Sequence, residues 1–220
     1  MASIATLPSL LGMLAKFIGV VFKDGLPEDF FQKVIDDPSY RARFVAAEKL
    51  DFVLTPPVPV WRKIDDMTIE VNYDALPGPP CFKTATVEWR TPGLTGWHQV
   101  QRRGEDVFVD GRKVEFHFTE GQKTGIVVGH ELRKQLEGQP VLHPNILDAM
   151  FENPHLIPES WKADEQGNSF RIYFWAIGYR NSDDRLYVRY LCWPGGRWRR
   201  YLCWLDDDFV AQDPAVVSAS

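Results

Sequence analysis

The residues best suited to chemistry in this chain each lack the neighbour their chemistry needs. Gly129-His130-Glu131 opens like a zinc-hydrolase helix, which needs a second His one turn further on to bring two ligands to one face. Lys134 stands there instead. His117, Glu115 and Asp106 form a second polar group, with His117 and Glu115 on one strand face and Asp106 expected opposite Glu115, an arrangement open to acid and base work. Lys113 shares that face and offsets the carboxylates, so a solvated hairpin explains the group more simply. His143 and His155 each adjoin a proline near an expected helix end, where His caps or solvates a terminus. Cys81 has no nearby base to activate its thiol. Gly195-Gly196 falls inside a hairpin turn rather than ahead of a helix, which excludes a phosphate loop. No catalytic residue, metal ligand set or cofactor site is assigned, and the reading leans away from an enzyme.

One surface is more promising. Tyr187, Arg189, Trp193, Arg197, Arg199 and Tyr201 fall at alternate positions of the C-terminal third and are taken as candidate binding residues. Arg, Trp and Tyr dominate protein interface hot spots. The same alternation could stack bases while guanidinium groups meet phosphate. Asp206, Asp207 and Asp208 follow directly, and a net charge of −5 is unlike the strongly basic balance of most nucleic-acid binders. The function expected is a non-enzymatic binding or protein-interaction module using this Arg and aromatic face. The alternatives are a single-stranded nucleic-acid binder on the same face, and an enzyme of unrecognised class with its site in the middle section.

The elements that must carry this face form a three-stranded β-meander over Ser169–Leu205, with strands expected at Ser169–Arg180, Arg185–Trp193 and Arg197–Leu205. NSDD and PGG connect them. A three-residue PGG loop sets Leu191 opposite Arg199, so even-numbered residues share one face and odd-numbered residues the other. Leu186, Val188, Tyr190, Cys192, Trp198, Leu202 and Trp204 then make an apolar face, with Arg200 as its one misfit. Tyr173, Trp175, Ile177 and Tyr179 are expected beside that face.

Upstream, apolar residues from Leu7 to Phe22 recur at helical spacing, and shorter helices are expected after Pro27 and from Asp37-Pro38. The first is too short and too interrupted by Lys16 for a membrane span. TPPVP, from Thr55 to Pro59, marks a boundary because proline lacks an amide hydrogen and fixes φ. Strands are expected near Met67–Tyr73 and Thr84–Arg90, and a hairpin over Val107–Phe118 turns at Asp110-Gly111. Short helices are expected over Gly129–Gly138, with Leu132 and Leu136 inward, and from Pro144 to before Asn153. The tail after Asp213 is expected to fray. The fold class expected is therefore α+β: a helical N-terminal part (residues 1–54), then antiparallel hairpins, short helices and the meander (residues 60–220), the whole being compatible with one domain.

The bulk composition fits an ordinary globular chain, at 45% hydrophobic and 25% charged, with aromatics high at 13%. Three cysteines at no metal-like spacing argue against a disulfide framework or zinc site and favour a reducing cytoplasm. The segments HLIPESWK, FWAIGYR, LYVRYLCW and GRWRRYLCWLDDDF, within residues 125–220, resemble a family of short bacterial proteins of uncharacterised function known from environmental genomes. The resemblance implies a cytoplasmic bacterial origin and a recurrent C-terminal module. It implies no activity, cofactor or catalytic residue.

Overall fold

Asp110 and Gly111 both take positive φ, 50° and 78°, which is what a two-residue hairpin turn requires and what Asp and Gly tolerate best. Around such turns the chain builds strands far more than helices. A computed structural model describes residues 59–75 and 85–219, and Pro59–Ser220 make one compact unit. The helices expected before Leu54 lie outside the described residues.

Twelve strands are present among the described residues. They are β1 (Trp61–Lys63), β2 (Thr68–Asn72), β3 (Thr86–Arg90), β4 (Trp97–Arg103), β5 (Asp106–Val109), β6 (Arg112–His117), β7 (Val127–Val128), β8 (Arg171–Arg180), β9 (Leu186–Cys192), β10 (Arg199–Trp204), β11 (Asp208–Phe209) and β12 (Ala215–Ser218). The helices are α1 (Glu120–Thr124), α2 (Gly129–Gln135) and α3 (Pro144–Glu152). One sheet runs β1-β2-β4-β5-β6-β12-β8-β9-β10, with β3 also on β8, and β7 pairs β11 apart from it.

This corrects the α+β expectation. The described residues are 42% strand and 20% helical, with three short helices. The helices found do not form a helical part; they lie on the faces of one long sheet. α3 packs Ile146, Leu147 and Met150 into a core with Val71, Val100, Ile172, Phe174 and Leu191. α2 and β11 bury Leu132, Leu136 and Phe209 on the other side, against Tyr173, Trp175 and Val188. The strand β8 is therefore buried through its length except at its two ends.

The tail does not fray. β12 lies antiparallel to β6 and parallel to β8, joining the hairpins to the meander, with Val216 opposite Phe116 and Ala215 opposite Tyr173. Ala215 and Val216 are fully buried. Small and β-branched side chains suit such a strand, which also covers two edges that would otherwise be left open.

Two register differences reshape the meander. Cys192, not Leu191, faces Arg199, because the β9–β10 connection behaves as the four residues Pro194–Arg197 between flanking Trp193 and Trp198. Gly195 and Gly196 both take positive φ there, and the two Trp rings meet at 5.1 Å. In β8, Phe174 pairs Arg189 and Tyr179 pairs Tyr187, so β8 bulges between them. Three backbone groups of the bulge find partners: Ala176 N–H donates to Leu142 O at 3.2 Å, Ala176 O accepts from Thr91 N–H at 2.8 Å, and Trp175 O accepts from Trp89 Nε1–H at 3.2 Å. Gly178 is required here, since a Cβ on it would stand 1.9 Å from the Trp89 ring.

Candidate functional site

Odd residues of β9 share a face with even residues of β10 once the register moves by one. Tyr187, Arg189 and Leu191 thus lie with Trp204, Leu202 and Arg200; α3 meets Arg189, Leu191 and Arg200, while Tyr187, Leu202 and Trp204 pack with Ile177 and Tyr179. Arg200 is no misfit. Asp148, within the run Pro144–Met150 of α3 that is buried throughout, accepts two hydrogen bonds from Arg189, at 2.7 and 2.5 Å, and one from Arg200 Nη1 at 2.7 Å. Asp148 and Arg189 side chains are each 4% exposed, Arg200 33%. Burial by itself lowers an arginine, but the Asp148 carboxylate overrides it and holds the Arg189 guanidinium above its ordinary range. Arg200 also lies over the Phe151 ring, 4.7 Å from its centroid.

Near the start of α3, His143 caps the helix: the Asn145 N–H donates to His143 Nδ1 at 3.1 Å. That bond places the imidazole hydrogen on Nε2, which is buried without a partner. Burial, with help from Arg90 and His98, pushes the His143 pKa down to about 3. Its ring stacks on Tyr73 at 4.4 Å, and Tyr73 stacks on His98 at 3.9 Å. The Asn145 amide donates to the Asn72 and Ala75 carbonyls, tying α3 to the end of β2. These polar groups hold α3 on the sheet; sequence reasoning passed over Asp148. The signal was present in two charged residues: Asp148 within the run Ile146–Met150, and Arg200 among the apolar alternate residues of β10.

No family model, curated protein or solved structure matches this chain.

The six candidate binding residues divide accordingly. Tyr187 is buried, its ring stacked on Tyr179 at 5.2 Å and edge-on to Trp204 at 5.6 Å, and Arg189 is buried on Asp148. Trp193 is half-buried under Lys162, whose Nζ lies 3.9 Å from the ring centroid. Arg197 is exposed, Arg199 half-exposed, and Tyr201 is 41% exposed. Arg199 and Tyr201 share their face with Tyr190 and Cys192. The Tyr190 and Tyr201 rings are 5.8 Å apart. Neighbouring Arg171 is neutralised by two bonds to the buried Asp213, at 2.5 and 2.6 Å.

The other groups offer little chemistry. Cys192 and Cys203 are free and buried, and burial pushes both thiols up to about 11, away from thiolate reactivity. Cys81 lies outside the described residues. Glu115 is exposed, and Asp106 and His117 are half-exposed; Asp106 pairs with Lys113 at 2.8 Å. His130 meets Asp206 at 3.2 Å on the surface. Among the described residues, no group of three His, Cys, Asp or Glu is placed to hold a metal ion. None of their helices is long and apolar enough to cross a membrane.

Proposed function

We propose that this chain is a non-enzymatic binding module, with its contact surface at the β9–β10 hairpin and the face of β10 that carries Arg199 and Tyr201. The observation that carries the reading is the state of two cations. Arg197 and Arg199 form no ion pair with any described residue, whereas Arg171, Arg180, Arg189 and Arg200 all do; Arg90, Arg103, Arg112 and Arg133 form none either, but Arg197 and Arg199 stand two residues apart at one hairpin. Beside them stand the Tyr190 and Tyr201 rings, and β10 pairs only with β9 among the described residues. Guanidinium groups without an ion pair next to the exposed Tyr201 ring and the half-buried Tyr190, on a strand at the end of a sheet, suit a protein segment that bears carboxylates. Tyr187, buried against Tyr179, and Arg189, buried on Asp148 of α3, belong to the support of the surface rather than to the surface.

The test compares a labelled peptide rich in Glu and Tyr with a dT oligonucleotide by fluorescence anisotropy, on the parent chain and on Arg197→Glu/Arg199→Glu. The reading expects the peptide to bind and the double variant to lose that binding. Tighter binding of the oligonucleotide, falling steeply with added salt, replaces it with single-strand recognition on the same face. Binding of neither probe at low salt rejects the surface.

A further inference from the structure

The β5–β6 hairpin does not zip to its end. Its ladder consists of Val109↔Arg112 and Phe108↔Lys113, after which β12 takes over the pairing of β6, from Val114 to His117. The two strands part, and Ser160, Trp161, Asp164, Glu165 and Phe170 line the far side of a shallow groove of about 630 Å³. Its floor is aromatic: the Phe116 ring stands 5.4 Å from Trp161 and 5.1 Å from Phe170.

Around these rings stand Glu105, Asp106, Glu115, Asp164 and Glu165, with Lys113 as the one cation. Three of the carboxylates are already engaged. Glu105 pairs with Arg102 at 2.9 Å, Asp106 with Lys113 at 2.8 Å, and Asp164 accepts from Asn168 Nδ2 at 2.9 Å. Glu115 and Glu165 form no ion pair or hydrogen bond with any described residue, although Glu115 adds to the field that raises Lys113.

We infer that this groove docks a cationic, extended segment of a protein partner, a surface separate from the hairpin reading above. The charge balance around an apolar floor selects the occupant. A Lys or Arg side chain can lay its alkyl stem along Phe116 and Phe170 while its head reaches Glu115 or Glu165. An uncharged apolar strand would strip water from both carboxylates without replacing it, and an anionic one would be repelled. The same chain already sets cations on rings close by, with Lys162 over Trp193 at 3.9 Å and Arg103 over Phe108 at 4.6 Å.

The experiment measures anisotropy of a labelled peptide of alternating Lys and Gly, and of its Glu counterpart, at low salt. Glu115→Gln/Glu165→Gln is expected to weaken the Lys peptide about fivefold to tenfold, from two exposed charge contacts. Glu137→Gln/Asp208→Asn, which removes equal charge elsewhere on the surface, is expected to leave it unchanged, and the Glu peptide is not expected to bind. Phe170→Leu, with folding checked by circular dichroism, tests the floor and should weaken binding while keeping the charge. Equal losses in the two charge variants would reduce the effect to attraction by an acidic chain and overturn the proposal. Absence of Lys-peptide binding overturns it as well. Neither result bears on Arg197 and Arg199, so the hairpin reading stands or falls by its own variants.

Discussion

Asp148→Asn should be the most costly single-atom-scale change in the described structure. The replacement keeps the shape of the side chain but removes its charge and turns one acceptor into an amide donor. Arg189 makes two of its hydrogen bonds to this carboxylate and is 4% exposed, so water cannot take the place of the lost oxygen. An uncompensated buried guanidinium costs about 3–5 kcal/mol. Arg200, 33% exposed, turns to solvent and adds only about 0.5 kcal/mol. Against a total stability of about 5–15 kcal/mol, that is a large share, and for a chain of this size it lowers Tm by roughly 6–20 °C. The assay is urea unfolding followed by circular dichroism, with an unchanged slope confirming that the loss lies in the native state. A double-mutant cycle sharpens it. Arg189→Met alone leaves Asp148 with the half-buried Arg200 but without the two bonds from Arg189, whereas Asp148→Val/Arg189→Met removes both buried charges and sets apolar groups beside Phe174 and Leu202, the cross-strand neighbours of Arg189. The double variant should recover to within about 1–2 kcal/mol of the parent. A loss below about 1 kcal/mol for Asp148→Asn, or strict additivity in the cycle, would refute the account of this triad as a buried, mutually dependent unit.

Two further perturbations follow from the same core. His143 has its pKa lowered from 6.5 to about 3, so below pH 6.5 the unfolded chain takes up a proton that the folded chain refuses. The stability present above that pH is lost as pH falls toward the folded value, by about 1.4 kcal/mol per unit. His143→Asn keeps an acceptor for the Asn145 N–H and does not titrate; between pH 7 and pH 5 it should lose about 2 kcal/mol less than the parent in urea unfolding, and equal slopes would contradict the assignment. Gly178→Ala should cost about 1–3 kcal/mol because its Cβ meets the Trp89 ring at 1.9 Å, and Trp89→Leu in the same chain should relieve part of that; no cost from the alanine would mean that β3 moves aside freely.

How much of this was legible in the sequence depends on whether the signal was local. Asp110-Gly111 gave its hairpin, Leu132 and Leu136 their helix, and His143-Pro144 the start of α3, because each rests on turn, spacing or capping chemistry within a few residues. The register of the meander was not local in that sense. Reading PGG as a three-residue loop is reasonable from composition, yet the Trp193 and Trp198 rings meet across a fourth residue and move every partner of β10 by one. The bulge in β8 then undoes the parity assigned to Ile177 and Tyr179, since Tyr179 comes to face Tyr187. β12 was missed for a related reason. Ala215, Val216 and Val217 look like a weak tail until β6 and β8 are known to lie on either side of them.

A single residue of register therefore decides what the Arg-rich meander presents. With Leu191 opposite Arg199, all six candidate residues would share one open face. With Cys192 opposite Arg199, the pattern splits: Arg189 turns toward α3 and needs Asp148, while Arg199 turns outward with Tyr201 and needs nothing within the described chain. Alternation alone could not separate these, because both faces of the meander carry arginine and both carry rings. The discriminating residue is Arg200. A cation on the face that must be buried demands a buried anion, and Asp148 in the buried run of α3 is the anion that supplies it. Pairing those two charges fixes the register, and the register in turn leaves Arg199 on the face away from Asp148, without an ion pair among the described residues.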